Sequence, residues 1–279
     1  AIRDFRYPDR IVIGSNNKNE IKIMKKLYFP LINKGAKFFS TSRRGAELIK
    51  YAANAFLATK ITFINEIANL CEKSGINVED IALGIGSDSR IGDRFLRPGP
   101  AYGGSCFPKD TKGLVSAADK FKTNLSIVKA VIKSNHYRVN LLTKRVHKIL
   151  GNNLRGKRIS ILGVTFKPNT DDMRDSTSLN MLPYLSKRGA IISYYDPSGE
   201  KNEFTKLLNC KFSKNIKENC LNADLIILLT EWDEFKSIDF KKAVKKKNFK
   251  IYDLRNIYTR DEMKKNRIKY YSIGRPDVN

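Results

Sequence analysis

The residue types best suited to chemistry in this chain cluster around Cys106. It follows the run Arg97-Pro98-Gly99-Pro100-Ala101-Tyr102-Gly103-Gly104-Ser105 and precedes Phe107-Pro108-Lys109-Asp110. Gly103 and Gly104 can take positive φ and bring the backbone close to a ligand, with no Cβ in the way. Pro98, Pro100 and Pro108 stiffen the flanks. A cation at Lys109 favours the thiolate, the form of cysteine that attacks carbon. A carboxylate at Asp110 can move a proton for a water. A buried structural cysteine beside a tight turn would carry much the same local sequence, so the elements around the run have to decide between the two.

Those elements fall into two kinds. Arg43 to Ser74 is a proline-free helical pattern stopped by Gly75, roughly 45 Å long at the usual rise. Such a helix suits a spine between domains or a dimer interface. On it Glu47, Lys50 and Asn54 share a face, which on pattern alone reads as the solvated side. Asn77 to Gly84 predicts a short helix, and the Gly-, Ser- and Asp-rich stretch 86–96 leads into the cysteine run. Thr111 to about Leu150 reads as helix in two pieces, with His136, and His147 likewise, as structural or surface side chains. Gly151 to Gly156 marks a boundary. Beyond it the rhythm changes: short apolar strands at 158–163, 190–196, 223–230, 249–253 and 269–274, with a helix at 178–189. The fold class predicted is α/β, a central helical domain with a long spine helix followed by a Rossmann-like parallel α/β domain. Ligands in such sheets sit outside the carboxyl ends of the strands, which here hold 165–174, 195–197, 230–232 and 253–256. Ahead of the spine, a strand at Arg10–Gly14 and a helix from Glu20 to Phe29 cannot bury a core by themselves.

Composition narrows the function classes. The formal charge is +25, which implies attraction for anionic ligands. Lysine is spread throughout with no nucleic-acid-binding signature, so a nucleic-acid partner is not expected. No apolar run reaches the length of a membrane span. The four cysteines are scattered and make no metal pattern, which fits a reduced, cytoplasmic protein with no metal site. There is no G-x-G-x-x-G run; Gly84-Ile-Gly86 comes nearest but lacks the third glycine. With no initiator Met, the expectation is a fragment or a processed form of a longer chain.

The run Gly103-Gly-Ser-Cys-Phe-Pro-Lys-Asp110 resembles the catalytic-cysteine motif of the nucleotide-sugar 6-dehydrogenases, and most of all the branch that oxidises UDP-glucose. "AELIKYAANAFLA" and "FINE" resemble that family's central helix, and "FKPNTDDMR", "YDP", "TEW" and "DLRNIY" its UDP-sugar domain, in order and spacing. The Pro8–Gly14 segment resembles the close of its N-terminal dinucleotide-binding domain. The resemblance implies residues 1–41 as a remnant of that domain, 42–156 as a helical dimerisation domain carrying the cysteine loop, and 157–279 as a UDP-sugar-binding Rossmann-like domain. It implies NAD-dependent twofold oxidation of UDP-glucose to UDP-glucuronate, through a thiohemiacetal and a thioester on Cys106. Lys50 would stabilise oxyanions, Asn54 orient groups and Asp110 activate water. Arg90 would reach across a homodimer, or higher oligomer, to the partner's nucleotide phosphates. The Phe95, Leu96 and Arg97 backbone would line the sugar pocket with Tyr102 and Gly103. Lys167 and Arg255 would hold phosphates or sugar, and Arg174 would reach the cofactor, NAD. Two positions depart from the family pattern, Ala101 and Leu254. A catalytic glutamate of the family lies before the position of Ala1, so these residues alone are expected to bind UDP-sugar weakly and not to turn over. The alternatives are a GDP-mannose or other nucleotide-sugar dehydrogenase, or a non-catalytic basic nucleotide-binding module.

Overall fold

A computed structural model describes residues 5–278. Its first part contains a strand the sequence pattern did not reveal. β1 (Arg10–Gly14) and β2 (Lys37–Thr41) pair in parallel as a two-stranded sheet, joined through α1 (Lys18–Leu27) and the single turn Phe29–Ile32. β2 reads Lys-Phe-Phe-Ser-Thr and buries none of its residues fully, so no inside–outside alternation marks it.

The spine helix α2 runs Arg43–Ser74, 32 residues, or roughly 48 Å. The Ser42 hydroxyl caps its start by accepting from the Gly45 amide, and Gly75 ends it in the left-handed region at φ 75°, as a helix stop requires. Its buried face carries Asn54, Ala55, Ala58, Thr62, Ile64, Asn65, Ala68 and Cys71. Three of those are alanines, whose small side chains let neighbouring helices come close. The opposite face leaves Leu48, Phe56, Phe63 and Leu70 exposed, a stripe at seven- to eight-residue spacing that none of the described residues covers. α3 (Val78–Gly86), α4 (Phe107–Lys120) and α5 (Ser126–Ile149) complete the helical part. The long loop 87–106 between α3 and α4 ends at Cys106, the residue preceding the first turn of α4.

The last third is a six-stranded, fully parallel sheet: β3 (Arg158–Leu162), β4 (Ile191–Tyr195), β5 (Cys210–Phe212), β6 (Leu225–Leu228), β7 (Lys250–Asp253) and β8 (Lys269–Ser272), in spatial order β5-β4-β3-β6-β7-β8. Residues alternate between its two faces. Ile159, Ile161, Leu225, Ile227 and Tyr252 pack with α5, with α6 (Ser178–Ser186) and with Ala68 and Val78 of α2 and α3. Leu162, Ile226, Leu228, Ile251 and Tyr270 pack on the other side with Phe235, Phe240, Tyr258 and Met263. Each fully buried Leu or Ile side chain contributes about 1.5–3 kcal/mol. The first core is shared by the sheet and the helices, so the two parts are held together through α5. A buried rivet adds to this: the Val78 amide donates to the Gly274 carbonyl and the Gly274 amide to Glu72, each at 2.8 Å. The strand order reverses between β3 and β6, and that switch point opens a crevice at the carboxyl edge of the sheet. Among the described residues no helix is long and apolar enough to cross a membrane.

Candidate active site

Cys106 is the exposed one of the four cysteines; Cys71 and Cys220 are buried and Cys210 half-buried. Burial pushes the Cys210 thiol up to about 12 and the Cys220 thiol to about 11, and raises Cys71 as well, so these three are poor nucleophiles. Cys106 occupies the position just before the first turn of α4, where unpaired amides and the helix dipole favour negative charge. The Ser105 hydroxyl lies 3.7 Å from its sulfur.

Asp110 lies four residues on, one turn into α4, and is 2% exposed. Both its carboxylate oxygens are engaged: Lys109 Nζ stands 2.8 Å from Oδ1, and Asn54 Nδ2 donates to Oδ2 at 2.5 Å. Burial by itself would raise the Asp110 carboxyl, but the hydrogen bonds from Lys109 and Asn54, with the charges of Lys109 and Lys50, outweigh it and hold the group below the usual carboxylate range. Asn54, read from pattern alone as part of a solvated stripe, is buried at 7% exposure, because α4 packs along that face of α2. Lys50, one turn earlier, stays exposed but within electrostatic reach of Asp110.

The loop ahead of Cys106 is fixed from several sides. The Asn65 side chain accepts from the Gly99 amide at 2.9 Å, and Arg138 Nε donates to the Gly99 carbonyl at 2.6 Å. Asn135 clamps Tyr102 twice, accepting from its amide at 2.9 Å and donating to its carbonyl at 3.0 Å. Arg138 is 4% exposed, and burial lowers its guanidinium to about 10. Phe107, immediately after the cysteine, receives the rings of Phe95 and Tyr102 edge-on at 6.2 and 6.1 Å. Phe95 holds φ at 67°, an unusual setting for a bulky residue and one found where function constrains the chain.

Below the thiol the loop lies directly on the segment after β3. A Cβ at Gly103 would sit 2.4 Å from the Asp175 carbonyl oxygen, and one at Gly104 2.5 Å from the Phe166 ring. The Gly104 amide donates to the Arg174 carbonyl at 2.8 Å. Arg174 forks onto Asp172 and lies within electrostatic reach of Cys106. Phe166 ties this region to the crevice, since its carbonyl accepts from Arg255 Nη2 at 2.8 Å. Arg255 Nε donates to the Leu229 carbonyl at 2.9 Å and also pairs with Glu231. The neighbouring Asp253 is fully buried and fixes the Arg255 amide at 3.0 Å. Burial pushes the Asp253 carboxyl up, against hydrogen bonds from Tyr258, Tyr270 and Arg255. Lys167, exposed at the crevice mouth, extends over the Phe166 ring at 5.3 Å. A cleft of about 420 Å³ opens beside Arg255, walled by Glu79, Ala82 and Leu83 of α3, by Leu96, Arg97 and Pro98, and by Asn256.

The fold thus gathers Cys106, Asp110, Asn54 and Lys50 at the junction of α2 and α4. It sets Arg255 with Leu96 and Arg97 around the cleft, and Lys167 and Arg174 on the loop between the two groups. Arg90 stands apart: its guanidinium forks onto Asp88 and its side chain is 87% exposed. Sequence reasoning missed Asn65, Asn135 and Arg138. Each is a polar residue on an otherwise apolar helical stripe, beside Ala68, Val131 and Leu142 respectively, and that was the available signal.

Residues 44–137 match the central domain of the UDP-glucose/GDP-mannose dehydrogenase family, and residues 160–260 match that family's UDP binding domain. The chain belongs to this family. UDP-glucose 6-dehydrogenase of Rhizobium meliloti (strain 1021) is 46% identical over 282 residues, which cover 99% of this chain and 64% of that protein. UDP-glucose 6-dehydrogenase YwqF of Bacillus subtilis (strain 168) is 40% identical, with 100% and 63% covered. Among solved structures, a UDP-glucose dehydrogenase from Pyrobaculum islandicum superposes with a TM-score of 0.87 at 30% identity, over 99% of this chain and 61% of that one. An NDP-N-acetyl-D-galactosaminuronic acid dehydrogenase from Methanosarcina mazei Go1 gives 0.82 at 28%, over 99% and 60%. The chain therefore spans under two thirds of the length of these family members. The Cys106 loop and α4 fall within the central-domain match, and Lys167, Arg174 and Arg255 within the UDP-binding match.

Proposed function

We propose that this chain supplies the thiol and the nucleotide-sugar crevice of an NAD-dependent dehydrogenase that oxidises the primary alcohol of UDP-glucose, in two steps, to the carboxylate of UDP-glucuronate. The observation that carries the reading is the placement of an exposed Cys106 at a helix start, one turn from a buried carboxylate, on a loop that also walls the cleft at Arg255. When bound, NAD supplies the hydride acceptor. Arg174, within electrostatic reach of Cys106, offers a guanidinium to a cofactor phosphate, and no glycine-rich dinucleotide loop occurs in the sequence.

The chain's own residues account for the rest of the chemistry. The Cys106 thiolate adds to the carbon of the sugar aldehyde and holds it, which suits a soft nucleophile beside a helix N-terminus. Lys50 offers an ammonium to the oxyanion formed at that carbon. After the held carbon reaches the thioester level, Asp110 accepts a proton from the attacking water, and Cys106 leaves as the thiolate. Asn54 orients the carboxylate for this. Arg255 and Lys167 meet phosphate or sugar oxygens at the switch point. The uncovered stripe of Leu48, Phe56, Phe63 and Leu70 supports a homodimer through α2, in which Arg90, standing clear of this chain's own site, is available to a partner's crevice.

Thermal unfolding with UDP-glucose, UDP-glucuronate, GDP-mannose and NAD, each added separately, tests the reading. A ligand that binds only the folded state stabilises it by about 2.7 kcal/mol at a hundredfold excess over its dissociation constant. The UDP-sugars raise the midpoint and GDP-mannose does not. A shift with GDP-mannose alone would replace the substrate, and no shift with either class would remove the crevice reading.

A further inference from the structure

We propose that Lys109 is a positioning residue that allows the Cys106 thiolate and the Asp110 carboxylate to coexist on one turn of α4; this rests on the reading of Cys106 as the nucleophile. The two groups stand four residues apart, and the Asp110 amide donates to the Cys106 carbonyl at 2.8 Å, so their side chains share a helix face. Two anions so placed repel, and each makes the other harder to ionise. Asn54 satisfies one oxygen of Asp110 but is neutral and cancels no charge. Lys109 touches the other oxygen at 2.8 Å, and its ammonium is held up first by the hydrogen bond and charge of Asp110, then also by Tyr51 and Cys106.

The remaining charged and titratable groups around the pair do not replace it. Lys50 and Tyr51 come from α2, and Asp172, Arg174 and Asp175 from the loop after β3. Arg174 is already forked onto Asp172, and Lys50 makes no direct contact with the carboxylate. The Lys109 ammonium is itself steered by Tyr51, whose ring centroid lies 5.9 Å away. That ring lies against α4 where a side chain on Gly113 would meet it at 3.0 Å, so the glycine one turn after Lys109 leaves the space the ring occupies.

The test reads alkylation of Cys106 by iodoacetamide in the folded chain, followed by peptide mass across mildly acidic to mildly alkaline pH. It needs neither substrate nor cofactor, and the three shielded cysteines serve as internal controls. K109M slows the reaction at neutral pH by about three- to tenfold, the effect of one charge at side-chain distance in a partly solvated site, and moves the rate curve to higher pH. K109R stays within about twofold of the parent, since it keeps the charge. D110N added to K109M restores the rate to within about twofold, because the repelling carboxylate is gone; damage to the local structure would not be rescued in this way. A K109M rate equal to the parent at every pH overturns the proposal, and so does a double variant as slow as K109M. A parent Cys106 no faster than the shielded cysteines would instead overturn the nucleophile reading, and this inference with it.

Discussion

Replacing Gly104 by alanine tests the junction between the thiol loop and the sheet. Gly104 holds φ at +77°, and a Cβ there would lie 2.5, 2.6 and 2.9 Å from three atoms of the Phe166 ring. The left-handed setting costs a side chain about 1–2 kcal/mol, and forcing the ring aside adds about 1–3 kcal/mol of overpacking. Stiffening of the unfolded chain returns about 0.4–1 kcal/mol. The net is a destabilisation of about 1–4.5 kcal/mol, or roughly 2–8 °C in melting temperature for a chain of this size. Urea unfolding measures it as a fall in midpoint at unchanged slope. The steric part is isolated by F166L: if ring and methyl collide, G104A combined with F166L is less destabilised than the two single changes summed, by about 1–2 kcal/mol. Cys106 alkylation changes alongside, because the loop that presents the thiol has lost its seat. A G104A variant within about 0.5 kcal/mol of the parent, with additive behaviour in the F166L background, would refute the close packing of this loop on Phe166.

Two further outcomes follow from buried groups. Arg138→Met leaves the Gly99 carbonyl without its buried donor and removes the bonds to Asn65 and Asn69; it destabilises by about 3 kcal/mol in denaturant unfolding and speeds amide exchange at Gly99 and Tyr102, while Arg138→Lys recovers little because one ammonium cannot span three oxygens. Asp224→Asn acts through pH. Burial would raise the Asp224 carboxyl, but Lys246 and the Arg158 amide outweigh it and hold it below its ordinary range. A carboxyl depressed in the folded state contributes stability above its unfolded value, near pH 4, and loses it as pH falls through the folded value. The variant is thus less stable by about 1 kcal/mol at neutral pH, and the gap to the parent closes as pH falls through the lowered folded value in acid-titrated unfolding.

Local chemistry determined a good deal of this protein without any structure. Ser42 and Gly75 bound the spine helix, since a cap and a stop act over a single turn. The apolar runs at 158–163, 223–230 and 249–253 announce strands buried on both faces, because nothing else accommodates such short runs. Gly103, Gly104, Cys106, Lys109 and Asp110 set a thiol, a cation and a carboxylate beside one tight turn, and neighbours in the chain are enough to show that. Pairings across the chain were decided only by the fold. β2 became a strand because β1 lies beside it, with no alternation of its own to reveal it, and three-residue β5 is likewise defined by its partner β4. Asn54 left the solvated stripe to bind Asp110, 56 positions away, and Asn135 and Arg138 clamp a loop 33 and 39 positions earlier. A buried polar side chain is stable only where a partner meets it. Tertiary packing supplies that partner, and the identity of the residue alone does not say where it lies.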